Sequence, residues 1–321
     1  MDVLSIGVSC FDVLLQTIPS DIMARPLNTF DHMDTNTGGD GLNGSINMMN
    51  LGLNVAYRSV VGNDVYGHAI LKMLSARGLS TEYIIQRDDF DTVVSIVLID
   101  EQGERFFAGQ KRTMSGLPLK NDDISDELLR SVRHVHCGSA YSLGDLDGEE
   151  LTILFKRAKA LGLTTSMDSG EAPEGADWME GVRETLKYTD IFLPSHYEAK
   201  YYCGGTDDIM EMKESMRQAG VKIFGVKRGA EGVFVTDYKE DIWLPTLLDG
   251  KPVDTTGGGD AMCSGFVAGF VRGMSLLDST VLGATQAAHV ISHVGANAGS
   301  ADLATCKAYA AGRGYDIDVK E

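Results

Sequence analysis

A chain of 321 residues, 43% of them apolar, has material for one large α/β domain or two small ones with a sizeable core. Its 28 basic and 46 acidic residues leave a net charge of −18, which repels a phosphate backbone and excludes nucleic acid as a partner. Five cysteines (Cys10, Cys137, Cys203, Cys263, Cys306) form no C-x-x-C pair, which excludes a zinc ribbon or disulfide framework and fits a reducing cytoplasm.

No basic leader precedes VLSIGV, and no apolar run is long enough to span a bilayer, so a soluble, cytoplasmic chain with no membrane partner is expected. After that first strand, DGLNGSINMMNLG has helical period, NVAYRSVV reads as a strand and GHAILKMLSARG as a helix. Farther on, HVHC, TTSMD, IFLP and VKIFGVK each read as a strand. The helical segments GEELTILFKRAKALG, ADWMEGVRETLKY and DDIMEMKESMRQAG lie between them. Such alternation predicts an α/β fold with a doubly wound, mostly parallel sheet flanked by helices. From Gly257 to Ala311 the chain is rich in glycine and alanine, as closely packed helices would be.

Two segments break the alternation. Residues 11–37 lack helical period, and TVVSIVLIDEQGERFFAG reads as two strands around the turn EQGE. Both are expected to form a small β-sheet lid, drawn from about 11–37 and 92–115, standing off a single domain spanning 1–321. Its outer face would leave Val94, Ile96 and Phe107 partly in water, and a homodimer through the lids would cover them.

The stretch DTTGGGDAMCSGFVAGF at 254–270 carries the chemistry. A glycine run opening a helix presents backbone N–H groups at the positive end of the helix dipole, with no Cβ to hold a ligand away. Asp260 in the first turn would repel that anion unless it takes a proton, and a base beside an anion cradle is what phosphoryl transfer to an alcohol needs. Asp260 as an ordinary first-turn acid that favours a helix start explains the residue equally well at this level.

D-T-T-G-G-G-D resembles the D-T-x-G-A-G-D signature of the PfkB carbohydrate kinases, the ribokinase-like sugar kinases, with Gly258 in place of Ala. A second family signature, Gly-Gly followed three residues later by Asn, is matched by Gly38-Gly39-Asp40-Gly41-Leu42-Asn43. The resemblance implies ATP as phosphoryl donor with Mg²⁺, and K⁺ as a further candidate. It makes Asp260 the catalytic base and gives the anion hole to Gly257, Gly258 and Gly259. Asp12, Gly39, Asp40 and Asn43 are assigned to the acceptor, with Arg105 on a lid strand a candidate for a sugar-acid carboxylate. Lys227, Gly229 and Gly232 in VKRGAEGVFV, together with Thr256, are implied to bind the nucleotide, and AAHVISHVGANAG resembles the late loop beside adenine. Asp254 is the candidate for a monovalent cation.

The family's N-x-x-E motif, which organises Mg²⁺ through water, here reads Ser195-His196-Tyr197-Glu198; Glu198 keeps its place, and S-x-x-E is also a capping box. Asp40 stands where ribokinases tend to have Lys, which argues against an acceptor already carrying a phosphate. The same Gly-Gly-Asp pattern resembles 2-keto-3-deoxygluconate kinases and uncharacterised sugar kinases near them. The implied activity is phosphorylation of an unphosphorylated monosaccharide or sugar acid, with a nucleoside as the alternative acceptor.

Rival signals are weaker. Gly39 to Gly44 fits G-x-G-x-x-G, with Asp64 beyond it, but the preceding residues 31–37 are polar, so an NAD(P)-dependent oxidoreductase lacks its strand. No P-loop motif occurs, and a non-catalytic sugar sensor would be expected to lack Asp260. His134 and His136 share one face of a strand, where buried structural histidines are commoner than metal pairs.

Overall fold

The structure is a computed structural model that describes residues 1–19, 21–24, 26–100, 105–110 and 116–318, without the side chains of Arg105 and Ser139. Its strands are β1 (Val3–Ile6), β2 (Cys10–Ile18), β3 (His32–Gly38), β4 (Val55–Gly62), β5 (Ile84–Arg87), β6 (Val93–Asp100) and β7 (Arg105–Gly109). They continue with β8 (His134–Ala140), β9 (Thr164–Ser169), β10 (Ile191–Phe192), β11 (Ile223–Lys227), β12 (Val233–Thr236) and β13 (Asp241–Leu244). The helices are α1 (Asp40–Asn50), α2 (Val65–Arg77), α3 (Asp126–Arg130), α4 (Glu149–Ala160), α5 (Trp178–Leu186), α6 (His196–Tyr202), α7 (Ile209–Ala219), α8 (Gly258–Val271), α9 (Leu276–Val290) and α10 (Leu303–Ala311).

One sheet has the order β13-β12-β11-β10-β9-β8-β1-β4-β5, parallel from β11 to β5, with an antiparallel edge formed by β12 and β13. Strand β1 is buried on both faces, as a central parallel strand must be, and its alternation divides the interior. Leu4 and Ile6 join a core with side chains of α4, α5, α6 and α7, whereas Val3 joins a second core with α1, α2, α8 and α9. Two cores, one per face, are the physical content of the doubly wound expectation. The small residues near the C-terminus do what their size allows: a Cβ on Gly265 would lie 2.7 Å from Gly283 Cα, so α8 and α9 pack backbone to backbone.

The second sheet has the order β3-β2-β6-β7. It unites the two segments that broke the alternation, although the turn 101–104 and residues 111–115 lie outside the described residues. The side chains expected to lie partly in water do so, with Val94 half-buried, Ile96 40% and Phe107 62% exposed, but the register puts them on two faces. Phe107 pairs with Val97, on the opposite face from Val94 and Ile96, because side chains alternate along a strand. Val94 is partly covered by the second core, and the exposed aromatic beside Ile96 is Phe106.

His134 and His136 are internal. His134 shares hydrogen bonds with Thr164 Oγ1 (2.8 Å) and Ser166 Oγ (2.6 Å), and His136 with Ser166 Oγ (2.7 Å). Burial pushes them down to about 3 and about 4, so both rings are neutral. No helix among the described residues is long and apolar enough to cross a membrane.

Candidate active site

The site forms where β2 leaves β1, where α1 and α8 begin, and at the carboxyl ends of β9, β10 and β11, the edge at which α/β sheets bind ligands. The Gly-Gly signature has a separate reason at each position. A Cβ on Gly38 would lie 2.1 Å from Asp12 Oδ2, so Gly38 makes room for that carboxylate across the β2–β3 pair. Gly39 has φ +94°, and a Cβ there would meet the Val8 carbonyl at 2.3 Å. Asp40 then opens α1, its Oδ1 accepting from the amides of Val8 (2.7 Å) and Gly41 (2.6 Å). The strand preceding this glycine run, β3, is antiparallel to β2 in the small sheet, and Asp64 caps α2, so the dinucleotide fingerprint has neither its strand nor its acid.

Asn43, one turn into α1, donates from Nδ2 to Asp260 Oδ2 at 2.8 Å. Its Oδ1 accepts from Asn297 Nδ2 at 2.7 Å, and the same Asn297 amide group donates to the Thr37 carbonyl at 2.7 Å. The Arg77 guanidinium donates to Asn297 Oδ1. Asn43 thus holds the Asp260 carboxylate, and Asn297 fixes which way Asn43 points. Sequence reasoning missed Asn297 and Arg77; the resemblance of the late loop located the segment without singling out the residue.

The three glycines of the cradle differ in their surroundings. Gly257 has φ +75°, and a Cβ there would lie 2.0 Å from the Ala296 carbonyl, so the close approach at this position is made by the protein's own backbone. The Gly258 amide donates to the Thr255 carbonyl at 3.2 Å. First-turn amides have no intrahelical acceptor, and those of Gly257, Gly259 and Asp260 donate to no described backbone carbonyl. Asp254 ties the turn to the late loop, its carboxylate accepting from the amides of Thr256 (2.8 Å) and Gly295 (2.6 Å).

Two cavities flank this turn. The first, about 330 Å³, is lined by Asp12, Gly39, Asp40, Asn43, Asp254 and Thr256 on one side and by lid residues including Leu14, Val97 and Phe107 on the other. The second, about 270 Å³, is lined by Lys227, Gly229, Gly232, Gly258, Gly259 and mostly apolar side chains. Thr256 was expected on the nucleotide side; it lines the first cavity, and its neighbour Thr255 lines the second. The Arg105 side chain lies outside the described residues.

Burial pushes Asp260 up to about 6, with the like charges of Asp40 and Glu198 adding to the effect and the Asn43 hydrogen bond and the Lys227 ammonium opposing it. Asp12 is raised by burial, which a contact from the Cys10 thiol partly offsets. Ser195 and Glu198 form a complete capping box: Ser195 Oγ accepts from the Glu198 amide (3.2 Å), and Glu198 Oε2 accepts from the Ser195 amide (2.6 Å). Serine therefore replaces the family's Asn as a helix cap, while Glu198 remains at the site edge, raised by burial and by Asp168. Among the described residues no group of three His, Cys, Asp or Glu side chains is arranged to hold a metal unaided.

Lys227, at the end of β11, is paired with Asp168 of β9, its Nζ lying 2.7 and 2.6 Å from the two carboxylate oxygens. Sequence reasoning found the lysine and missed the aspartate, because nothing local in TTSMDS announces a partner 59 residues away.

The chain is similar to known proteins over most of its length. The chain is 26% identical over 310 residues to an ATP-dependent 6-phosphofructokinase of Thermoanaerobacterium thermosaccharolyticum, covering 95% of this chain and 92% of that one. It is 28% identical to an uncharacterised sugar kinase of Archaeoglobus fulgidus (78% and 96% covered) and 23% identical to a nucleoside kinase of Methanothermobacter thermautotrophicus (99% and 98%). Its fold is similar to that of a ribokinase from Thermotoga maritima, with a TM-score of 0.81 at 20% identity over 96% of this chain and 99% of the other. A second neighbour is a putative ribokinase II from E. coli in complex with ATP and Mg²⁺, with a TM-score of 0.79 at 19% identity over 96% and 98%. Residues 2–303 match the pfkB family of carbohydrate kinases, and with its ribokinase-like fold the chain belongs to that family of ATP-dependent phosphotransferases.

Proposed function

We propose that the chain transfers the terminal phosphoryl group of ATP to a hydroxyl of an unphosphorylated monosaccharide or sugar acid. The observation that carries this reading is the place of Asp260: hydrogen-bonded to a residue of the first cavity, and one residue from a glycine that lines the second. With the acceptor in the first cavity, its hydroxyl proton passes to Asp260 as its oxygen bonds to the terminal phosphorus. The bond from that phosphorus to the bridging oxygen breaks, and ADP leaves with the electron pair. The amides of Gly259 and Asp260 face the charge on the moving group, and Asp12 and Asn43 hold the acceptor. Magnesium, when bound with the nucleotide, would supply neutralisation of phosphate charge; Glu198 is the residue proposed to hold it through water, and Asp254 is the candidate beside K⁺.

The described lining of the first cavity contains three carboxylates, Asp12, Asp40 and Asp254, and no lysine or arginine, which favours an acceptor without a phosphate. Lys111 and Arg112 lie outside the described residues. A nucleoside is the second reading, favoured by the apolar rung Leu14, Val97 and Phe107 at the lid end of the cavity, where a base would find an apolar surface. The test is ADP release across ketohexoses, pentoses, sugar acids, nucleosides and fructose 6-phosphate, with Mg²⁺ and with or without K⁺. Turnover confined to the sugar phosphate overturns the proposal, and turnover confined to nucleosides replaces it with the second reading.

A further inference from the structure

Four ionisable side chains meet at the carboxyl ends of β9, β10 and β11: Asp168, Glu198, Lys227 and, from α8, Cys263. Lys227 is the cation among the described residues lining the second cavity, in a protein of net charge −18. Its Nζ would lie 3.4 Å from a Cβ on Gly259, so the ammonium stands beside the first turn of α8. Asp168 holds it from behind. That carboxylate also accepts from the Ser169 amide at 2.8 Å and from the Cys263 thiol at 3.1 Å, so it is anchored independently of the lysine. Two of the three ammonium hydrogens are engaged by Asp168, and the third has only the Cys263 sulfur at 3.4 Å, a soft acceptor readily exchanged for a phosphate oxygen.

A buried ion pair is a poor way to stabilise a core, since two apolar side chains of similar size would usually do as well. Both partners are nonetheless deeply buried, with side-chain exposures of 14% and 6%, at the one place where an anion must be met. We propose that Asp168 is a positioning residue: it aims the Lys227 ammonium across the first turn of α8, so that lysine contacts the phosphoryl group in transfer and not the adenosine or the inner phosphates. Asp168 touches neither substrate and acts through Lys227. The inference rests on the ATP-dependent phosphotransfer proposed above.

The experiment compares binding of ADP and of the β,γ-imido analogue of ATP by calorimetry, for the whole chain with Mg²⁺, in wild type, Asp168→Asn, Lys227→Met and the double variant. Each single change is expected to weaken the ATP analogue by roughly tenfold to a hundredfold, the scale of a hydrogen bond to a charged group, while ADP binding changes little. The double variant is expected to match Lys227→Met alone, because Asp168 acts only through the lysine. Should Asp168→Asn fail to fold with a bare buried lysine, Asp168→Glu, which keeps the charge and moves the carboxylate that aims Lys227, carries the same comparison of the two nucleotides. Equal loss of ADP and analogue, or unchanged discrimination between them, overturns the proposal. Wild type binding neither nucleotide overturns instead the ATP-dependent reading on which it rests, so the two failures are distinguishable.

Discussion

An ordinary aspartate is ionised throughout the physiological range, but Asp260, raised to about 6 by burial and its acidic neighbours, titrates just below neutrality. A base must be ionised to take a proton, so kcat/KM is expected to rise with pH through about 6 and to be lost below it. Asn43→Ala removes the hydrogen bond that favours the ionised form, and the acidic limb should then move to higher pH. Asp260→Asn is expected to lower kcat by about 10²- to 10⁴-fold while leaving acceptor binding largely intact; near-normal turnover would remove Asp260 from the mechanism. The same variant bears on stability. The folded pKa lies above the unfolded one, so this group's contribution to stability is present below the unfolded value and is lost as pH rises through about 6. At pH 7 Asp260→Asn should therefore melt at a higher temperature than wild type, a difference that shrinks as the pH falls.

At the scale of elements, the start of α8 is held by neighbouring backbone more than by its own sequence. Gly257 combines φ +75° with the Ala296 carbonyl 2.0 Å from where a Cβ would stand, so Gly257→Ala must push the late loop away. That loop carries Gly295, which donates to Asp254, and Asn297, which orients Asn43. The expected result is a cost of more than about 1 kcal/mol together with a fall in kcat, read by thermal melting and turnover. Gly258→Ala meets only the Ile291 Cγ2 methyl at 2.8 Å, the movable end of a side chain, and alanine gains up to about 1 kcal/mol of helix propensity over glycine. It should melt within about 1 kcal/mol of wild type and retain activity.

For the whole molecule, the lid leaves Ile96 40% and Phe106 59% exposed on a sheet whose two edge strands are β3 and β7. Apolar side chains beside open edges favour association, and we propose that two lids pair into a homodimer. Light scattering at micromolar concentration should give twice the chain mass, and Ile96→Lys should shift the mass toward the monomer. Monomer alone in the wild type would count against the pairing.

Much of the fold was legible because it rests on local periodicity. VLSI reads as a strand, the amphipathic segments after it read as helices, and the two irregular segments read as a separate sheet, since each signal lies in neighbouring residues. The two glycine signatures were likewise legible, being short and contiguous, and they led to Asp260 and Asn43. Tertiary structure decided what no local window contains. The Asn43–Asp260 hydrogen bond spans 217 residues, Asn43–Asn297 spans 254 and Lys227–Asp168 spans 59. It also decided the surroundings of three glycines alike as letters: a Cβ on Gly257 would meet the Ala296 carbonyl, the Gly258 amide donates to the Thr255 carbonyl, and a Cβ on Gly259 would face Lys227 Nζ. A sequence determines which groups are present and their local geometry; the distances that set their protonation and direction arise when the sheet brings remote strand ends to one edge.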